Sequence, residues 1–354
     1  MEPLVTVRRG DFVESIHFGS IAIVDSAGRL LACAGDPSLR TFIRSSAKPF
    51  QAVPLAQEGG IEEFALSSEE LALVCSSHGG EPIHVGGAAT LLRKGEFDEE
   101  DLLCGVHQPY DERVAAEMRQ AGESPTPLHN NCSGNHAGML LSTLLLDLPP
   151  SGYVDSGHPL QMRNLQVLAD FAGIDPGEIG IAVDGCGAPS YHLSLYRAAF
   201  AYARLAAAAR AEAPAPVLPR YAEPAREIFD AMTAHPDFVA GNWSITTPLM
   251  EALRGRLIAK DGAEGFYAMA LDPSLAGPVL ERAGVSEGEA LGVAIKIADG
   301  SMNRGRDPVI IRILELLGIP IDTPRLAPYR EPAIVNCAGE QIGRAHADFE
   351  LHFL

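Results

Sequence analysis

The 354-residue chain has few aromatic residues and a shortage of positive charge. Aromatic residues make up 6% of the sequence, with a single tryptophan, and 27 lysines and arginines stand against 46 aspartates and glutamates. The formal net charge of -19 argues against nucleic acid or an anionic membrane as a partner, because both are themselves negatively charged. We therefore expect a soluble protein that acts on a small molecule.

The sequence also has no closely paired cysteines, no secretory signal and no long apolar run. No stretch approaches the roughly 20 apolar residues that a membrane span needs, and the N-terminus has no basic region followed by an apolar core. The cysteines are scattered, so we expect no disulfide framework and a reducing, cytoplasmic compartment. They are Cys33, Cys75, Cys104, Cys132, Cys186 and Cys337.

The chain is long enough, at 47% hydrophobic residues, to bury a large core. We expect a single domain over residues 1–354, with two subdomains around one cleft as the alternative. Strand-like alternation occurs near both ends, in residues 4–36 and 333–353, and helical patterns such as 159–172 and 193–212 lie between them. This distribution predicts an α+β fold, in which one antiparallel sheet is flanked by helical layers.

A serine and a lysine three residues apart form the most informative motif, Arg44-Ser45-Ser46-Ala47-Lys48-Pro49. Positions i and i+3 of a helical turn are neighbours, so Ser45 can place its hydroxyl against the Lys48 amine. A serine hydroxyl becomes a nucleophile when a base takes its proton, and burial beside another positive charge favours the neutral amine that this requires. The alternative is a helix start with a serine cap and a surface lysine. Pro49 places Lys48 at the beginning of the helix.

Two further segments extend this motif. Ser77 lies in a Ser-His-Gly-Gly loop, and Lys260 ends a predicted strand before a glycine turn. With Ser45 and Lys48 they form the set Ser-x-x-Lys, Ser-x-x and Lys-x-Gly of penicillin-recognising serine enzymes. The alternatives are an ordinary glycine turn and a solvent-facing lysine.

Two tight polar loops carry candidate metal ligands. Residues 127–141 place polar groups at the start of an apolar helix, where backbone N–H groups favour a negative ligand. Cys132 lies there between His129 and His136, and Cys186 lies in the second loop. Zinc accepts cysteine and histidine, but free cysteines are also common in protein cores.

Taken together, these motifs resemble the Rhizobium-type L-asparaginase family over nearly the whole chain. The resemblance implies a fold similar to serine β-lactamases and glutaminases. It also implies hydrolysis of L-asparagine to aspartate and ammonia, by a protein that forms homodimers. The segments that carry it are Arg44-Ser45-Ser46-Ala47-Lys48-Pro49, Ser76-Ser77-His78-Gly79-Gly80-Glu81, Asn131-Cys132-Ser133-Gly134, His136-Ala137-Gly138-Met139, Asp184-Gly185-Cys186-Gly187 and Lys260-Asp261-Gly262-Ala263-Glu264-Gly265.

The resemblance also implies roles for particular residues. It makes Ser45 the nucleophile with Lys48 as its base, and Ser77 and Lys260 a second catalytic pair. Arg44 suits a substrate α-carboxylate and Asp184 an α-amino group. The predicted substrate-binding residues are Arg44, His136, Asp184, Gly79 and Glu81.

The sequence departs from the family at its zinc site. That site uses two cysteines, matched by Cys132 and Cys186, and a lysine three residues after the first. Asn135 occupies the lysine position, and an amide oxygen is a weak zinc ligand beside thiolate or imidazole. Two alternatives therefore stay open: a serine hydrolase of a different amide, and a non-catalytic amino-acid-binding protein.

Overall fold

The computed structural model describes residues 1–210, 218–275 and 289–354. They form two compact units. The sheet unit comprises Met1–Ile43, Leu193–Ala207 and Pro248–Leu354, and the helical unit comprises Arg44–His192 and Ala208–Thr247. The surface connector predicted for 212–223, and the end of the helix predicted for 193–212, lie partly outside the described residues.

The strands are concentrated at the two ends of the chain, as the alternating pattern predicts. Those of the sheet unit belong to one curved antiparallel sheet, except β4. In chain order the strands are β1 (Glu2–Arg9), β2 (Phe12–Asp25), β3 (Leu30–Ala34), β4 (Arg40–Phe42), β5 (Gly180–Val183), β6 (Pro189–Ser194), β7 (Leu257–Gly262), β8 (Phe266–Leu271), β9 (Leu291–Ile297), β10 (Ala333–Val335), β11 (Gln341–Ala347) and β12 (His352–Phe353).

The helices, by contrast, are mostly in the helical unit. Two causes of their boundaries can be read directly: Ser67 and Glu70 form a capping box at the start of α4, and left-handed glycines end α6 and α8. The helices are α1 (Lys48–Gln51), α2 (Val53–Gln57), α3 (Gly60–Glu63), α4 (Ser68–Val74), α5 (Pro82–Lys94), α6 (Glu112–Ala121), α7 (Ser133–Leu145), α8 (Pro159–Ala172), α9 (Leu195–Arg210), α10 (Ala222–Ala234), α11 (Pro236–Val239), α12 (Thr246–Ala252), α13 (Asp307–Leu316) and α14 (Ala327–Arg330).

Strands from the two ends of the chain pair with each other in the sheet, as β1 does with β11. Its order is β10-β11-β1-β2-β9-β8-β7, and β3 pairs with both β2 and β12. Every residue of β7 and β8 is buried, which places the core at this end of the sheet. The predicted α+β class with an antiparallel sheet is confirmed, and the finer likeness to serine β-lactamases stays a prediction.

Helix α9 packs closely on the sheet at Gly292 in β9. A Cβ atom built at Gly292 would lie 1.8 Å from the Ala199 carbonyl oxygen and 2.6 Å from the Ala203 nitrogen. Both atoms belong to backbone, so neither can move aside as a flexible side chain could. The helix and the strand therefore reach their observed separation only with glycine at this position.

The sheet unit also buries a cluster of one arginine and two aspartates. Arg306, 1% exposed, ends a π-helical turn and reaches Asp261 and Asp307, each at 2.7 Å. The Tyr267 ring lies 5.0 Å from its guanidinium carbon. Burial favours a neutral Arg306, but the two carboxylates outweigh it and raise the pKa of the guanidinium. The arginine therefore carries its charge inside the sheet unit.

Among the described residues, no helix is long and apolar enough to cross a membrane.

Candidate active site

Lys48 is the buried cation of the helical unit. It is the first residue of α1, and Pro49 follows it in the first turn, where a missing N–H costs nothing. The side chain is 3% exposed, and its amine donates to three acceptors: the Ser76 carbonyl at 2.6 Å, Ser77 Oγ at 3.1 Å and Cys132 Sγ at 3.1 Å. The lysine therefore joins the loop after α4 to the N-terminus of α7.

The predicted hydrogen bond between Ser45 and Lys48 is wrong. Ser45 lies in a single 3-10 turn over Arg44–Ala47 and is half-buried, and its side chain is hydrogen-bonded to none of the described residues. The physical reason is that the three acceptors use all three N–H groups that a lysine ammonium has. Ser77, rather than Ser45, is the serine in contact with Lys48.

The backbone immediately before Ser45 is strained. Arg44 adopts a φ of 50°, which is uncommon for a residue with a side chain. Its guanidinium donates twice to the Asp184 carboxylate, from Nε at 2.8 Å and from Nη2 at 2.7 Å. Strained residues held by their surroundings are concentrated at functional sites. The two residues expected to bind the substrate's charged groups therefore bind each other in this structure.

Arg44 also controls the ionisation of Asp184. Burial acts to raise the pKa of Asp184, but the hydrogen bonds and the charge of Arg44 outweigh it and hold that pKa below its usual value. Asp184 itself lies in a turn between β5 and β6, where its N–H donates to the Ala188 carbonyl at 2.8 Å. Gly187 completes this turn with a φ of 86°, which favours glycine.

The loop from Ser77 to Glu81 is held in place by hydrogen bonds from its backbone. Its backbone N–H groups at positions 77, 78, 80 and 81 donate, in order, to the Val239 carbonyl, the Asn131 carbonyl, His78 Nδ1 and His84 Nδ1. The N–H of Gly79 has no hydrogen-bond partner among the residues that the structure describes. A Cβ atom at Gly79 would lie 3.1 Å from Trp243 and 3.2 Å from Asp111. The loop thus presents one unused backbone donor.

Glu81 is bound by the protein itself. Its Oε1 accepts hydrogen bonds from the Asn242 backbone at 3.1 Å and from the Asn242 side chain at 2.9 Å. Burial, followed by a hydrogen bond shared with Asp111, raises the pKa of Glu81. Burial also acts to raise the pKa of Asp111, but hydrogen bonds from Val114 and Glu81 lower it. The two carboxyl groups are thus close enough to share a hydrogen bond, and the predicted contact of Glu81 with substrate stays a prediction.

The two cysteines of the expected zinc site meet, but the described residues do not fit a zinc ion. The Cys186 thiol donates to Cys132 and, although burial opposes it, lowers the pKa of Cys132 to about 5, with Lys48 assisting. Asn135 instead donates its amide to the Val74 carbonyl at 3.1 Å. No group of three histidine, cysteine or acidic residues that could hold a metal occurs in the described part of the chain. Zinc binding stays a prediction, which a metal assay would test.

His136 lies one helical turn after Cys132 and is completely buried. Burial, and then the charge of Lys48, lower the pKa of His136 to about 3, so the ring is neutral. Its Nδ1 lies 2.7 Å from Tyr153 Oη, which also accepts a hydrogen bond from the Leu103 N–H at 2.9 Å. Its Nε2 has no partner within the described ranges. Sequence analysis missed Tyr153, since no motif surrounds it.

Lys260 lies on β7 in the sheet unit. It is 1% exposed, so the solvent-facing alternative is wrong. Its amine lies 3.2 Å from the Asp261 carbonyl oxygen. The pairing of Lys260 with Ser77 stays a prediction.

Comparisons with known proteins give one family. A model of the L-asparaginase II family matches residues 5–347, nearly the whole chain. Among solved structures, the chain is similar to Mglu in its native form, at 16% identity over 86% of this chain and 65% of that chain, with a TM-score of 0.45. It thus spans less than two thirds of Mglu.

A second solved structure, a Bacillus glutaminase in the presence of 4.3 M NaCl, matches at 12% identity over 85% of this chain and 91% of that chain, with a TM-score of 0.37. A search of the curated proteins gave no match.

Proposed function

Since the chain belongs to the L-asparaginase II family, we propose that it is an amidohydrolase that converts L-asparagine to L-aspartate and ammonia. The observation that carries the proposal is the buried Lys48 amine, which lies 3.1 Å from a serine hydroxyl. No carboxylate among the described residues forms an ion pair with this amine. Its contact with the serine hydroxyl gives the amine a direct path along which to exchange a proton with a serine.

In the proposed reaction Ser45 is the nucleophile. Its hydroxyl is half-buried and has no hydrogen-bond partner in the described ranges, so it is available to a substrate. Ser45 Oγ bonds to the side-chain amide carbon of asparagine, and its proton passes to a neutral Lys48, either directly or through the Ser77 hydroxyl. The C–N bond then breaks, and Lys48 returns the proton to the departing ammonia. Water cleaves the resulting ester, which releases aspartate and restores Ser45.

Three other residues bind the substrate in this proposal. Arg44 binds the α-carboxylate and Asp184 binds the α-ammonium group, so the substrate replaces their mutual ion pair with two ion pairs of its own. The unused N–H of Gly79 stabilises the oxyanion, because a backbone donor in a rigid loop needs no reorganisation when charge develops. No step passes through zinc.

The test is release of ammonia from L-asparagine, with and without added zinc. We expect turnover by the wild type, a loss of about 10²- to 10⁴-fold in Ser45→Ala, and near-normal turnover in Ser46→Ala, the matched control. Hydroxylamine added during turnover traps an acyl-enzyme as aspartyl hydroxamate. A wild type that binds asparagine but releases no ammonia, with or without zinc, is instead an amino-acid-binding protein. Light scattering tests the expected homodimer.

A second assignment of the nucleophile rests on one distance. Ser77 Oγ, not Ser45 Oγ, is in contact with the Lys48 amine. If Ser77 is the attacking group, Ser77→Ala abolishes hydroxamate formation while Ser45→Ala retains part of it. If Ser77 is a relay, Ser77→Ala slows acylation but still forms the hydroxamate.

A further inference from the structure

We propose that Tyr153 is a positioning residue that fixes His136 as the tautomer with its proton on Nε2, and that this N–H donates to an oxygen of the substrate. The inference rests on the proposed function only for the identity of that substrate. The tautomer itself follows from the contacts of three neighbouring groups in the helical unit.

The hydroxyl of Tyr153 accepts one hydrogen bond and donates another. The Leu103 backbone N–H can only donate, so Tyr153 Oη accepts at 2.9 Å. The hydroxyl retains its own proton and is buried, with Tyr153 0% exposed. Among the described residues, the acceptor within reach of this proton is His136 Nδ1, at 2.7 Å. Leaving a buried hydroxyl proton without an acceptor destabilises the fold, so Tyr153 donates to Nδ1.

The hydrogen bond that Nδ1 accepts fixes the tautomer of His136. A neutral ring carries one proton, and when Nδ1 accepts a hydrogen bond that proton is on Nε2. His136 Nε2 is therefore a donor. It is buried and unpartnered in the described part of the chain, whereas nearly all buried polar atoms in proteins are paired. A donor left unpaired in a buried site calls for an acceptor from a ligand.

The His136 donor lies beside Lys48 and the groups that its amine contacts, which we call the Lys48 cluster. His136 follows Cys132 by four residues, and its N–H donates to the Cys132 carbonyl at 2.9 Å, so the two side chains share a face of the helix. Cys132 Sγ is in contact with the Lys48 amine at 3.1 Å. The acceptor is consequently a carbonyl or carboxylate oxygen of a molecule bound at this cluster. A protonated Nε2 has no lone pair for a metal, so His136 does not substitute for a missing zinc ligand.

Nitrogen NMR of protein labelled with ¹⁵N-histidine tests the tautomer without any substrate. We expect His136 to have an unprotonated Nδ1 and a protonated Nε2 that does not exchange rapidly with water. The buried His78 and His84 should show the same pattern, because backbone N–H groups donate to their Nδ1 atoms, so the signals of His136 are assigned by their loss in His136→Gln. A proton found on Nδ1 overturns the proposal, whether or not the protein hydrolyses asparagine.

The substrate contact is tested with L-asparagine added to the labelled Ser45→Ala variant, in which the proposed nucleophile is missing and asparagine is consumed more slowly. We expect the Nε2 proton of His136 to shift downfield as it enters a hydrogen bond. Tyr153→Phe should raise KM about five- to tenfold, the equivalent of one hydrogen bond, with kcat little changed. Tyr191→Phe, at another fully buried tyrosine of the helical unit, is the matched control.

Two results would contradict the substrate contact while leaving the tautomer in place. One is an Nε2 proton that does not move at saturating asparagine. The other is a Tyr153→Phe variant in which kcat and thermal stability both fall while KM does not change. A tyrosine with a purely structural role would have that effect.

Discussion

The two units each bury a cation, and the two cations have opposite surroundings. Arg306 in the sheet unit meets two carboxylates and the face of a tyrosine ring. Lys48 in the helical unit meets a carbonyl, a hydroxyl and a sulfur atom. The two carboxylates together carry more negative charge than the single positive charge of Arg306. Lys48, by contrast, has no carboxylate partner among the described residues.

Under the proposed function, this difference separates a structural cation from a reactive one. An arginine between carboxylates keeps its proton under all ordinary conditions and holds its neighbours in a fixed geometry. In the proposed reaction Lys48, which has no carboxylate partner among the described residues, accepts a proton and returns it, as general base catalysis requires. Burial alone therefore does not identify a catalytic cation, and the charge of the contacting groups must be known as well.

Lys48→Met should give the largest effect, because it removes the proposed base but keeps most of the side-chain volume. We expect turnover of L-asparagine to fall by about 10²- to 10⁴-fold, measured as ammonia release, with the protein still folded. Lys94→Met is the matched control, since Lys94 pairs with Glu70 at 2.6 Å outside this cluster. Retained turnover in Lys48→Met would remove the distinction between the two cations.

Arg306→Met should destabilise the protein without a direct chemical effect. The substitution leaves Asp261 and Asp307 without their shared cation, and breaking a buried ion pair in this way costs about 3–5 kcal/mol. Urea unfolding measures the loss. Arg330→Met is the control, because the Arg330 side chain is 43% exposed and such surface pairs contribute below about 1 kcal/mol. Equal losses in the two variants would show that Arg306 is not held as described.

Asp184→Asn should weaken substrate binding. It removes a charge-assisted partner of the substrate's α-ammonium group, so we expect KM to rise about ten- to a hundredfold. Glu117→Gln, on the exposed face of α6, should leave KM unchanged.

The same variant tests the depressed pKa of Asp184. Such a carboxylate stabilises the fold above its unfolded-state pKa, and that stability is lost as pH falls through the lower folded-state pKa. Acid should therefore destabilise wild type more than Asp184→Asn.

Glu81→Gln should give the smallest effect. The raised pKa of Glu81 means that its stabilisation is present below the unfolded-state pKa and is lost as pH rises through the folded-state pKa. Glutamine stays neutral and can still donate to Asp111, so the stability of the variant relative to wild type should increase with pH. Unfolding curves at pH 4 and pH 8 measure this difference. A decrease with pH would contradict the raised pKa of Glu81.

Much of the fold could be predicted from local patterns, whereas the contacts of the site could not. Alternating residues predicted the strands at both chain ends, and the base role predicted for Lys48 required the burial that the structure shows. Spacing alone paired Lys48 with Ser45, because it cannot show which distant acceptors occupy the amine. The pairing of Arg44 with Asp184, and the position of Tyr153, depend on tertiary packing between segments far apart in the chain.

The ion pair between Arg44 and Asp184 also bears on how the product leaves. The pair is electrically neutral, and so is the zwitterion of asparagine, so binding of the proposed substrate adds no net charge to the site. In the proposed reaction, hydrolysis replaces a neutral amide with a carboxylate, and the product carries one negative charge more than the substrate. A chain with a formal net charge of -19 repels additional negative charge, so its net charge favours release of the proposed product.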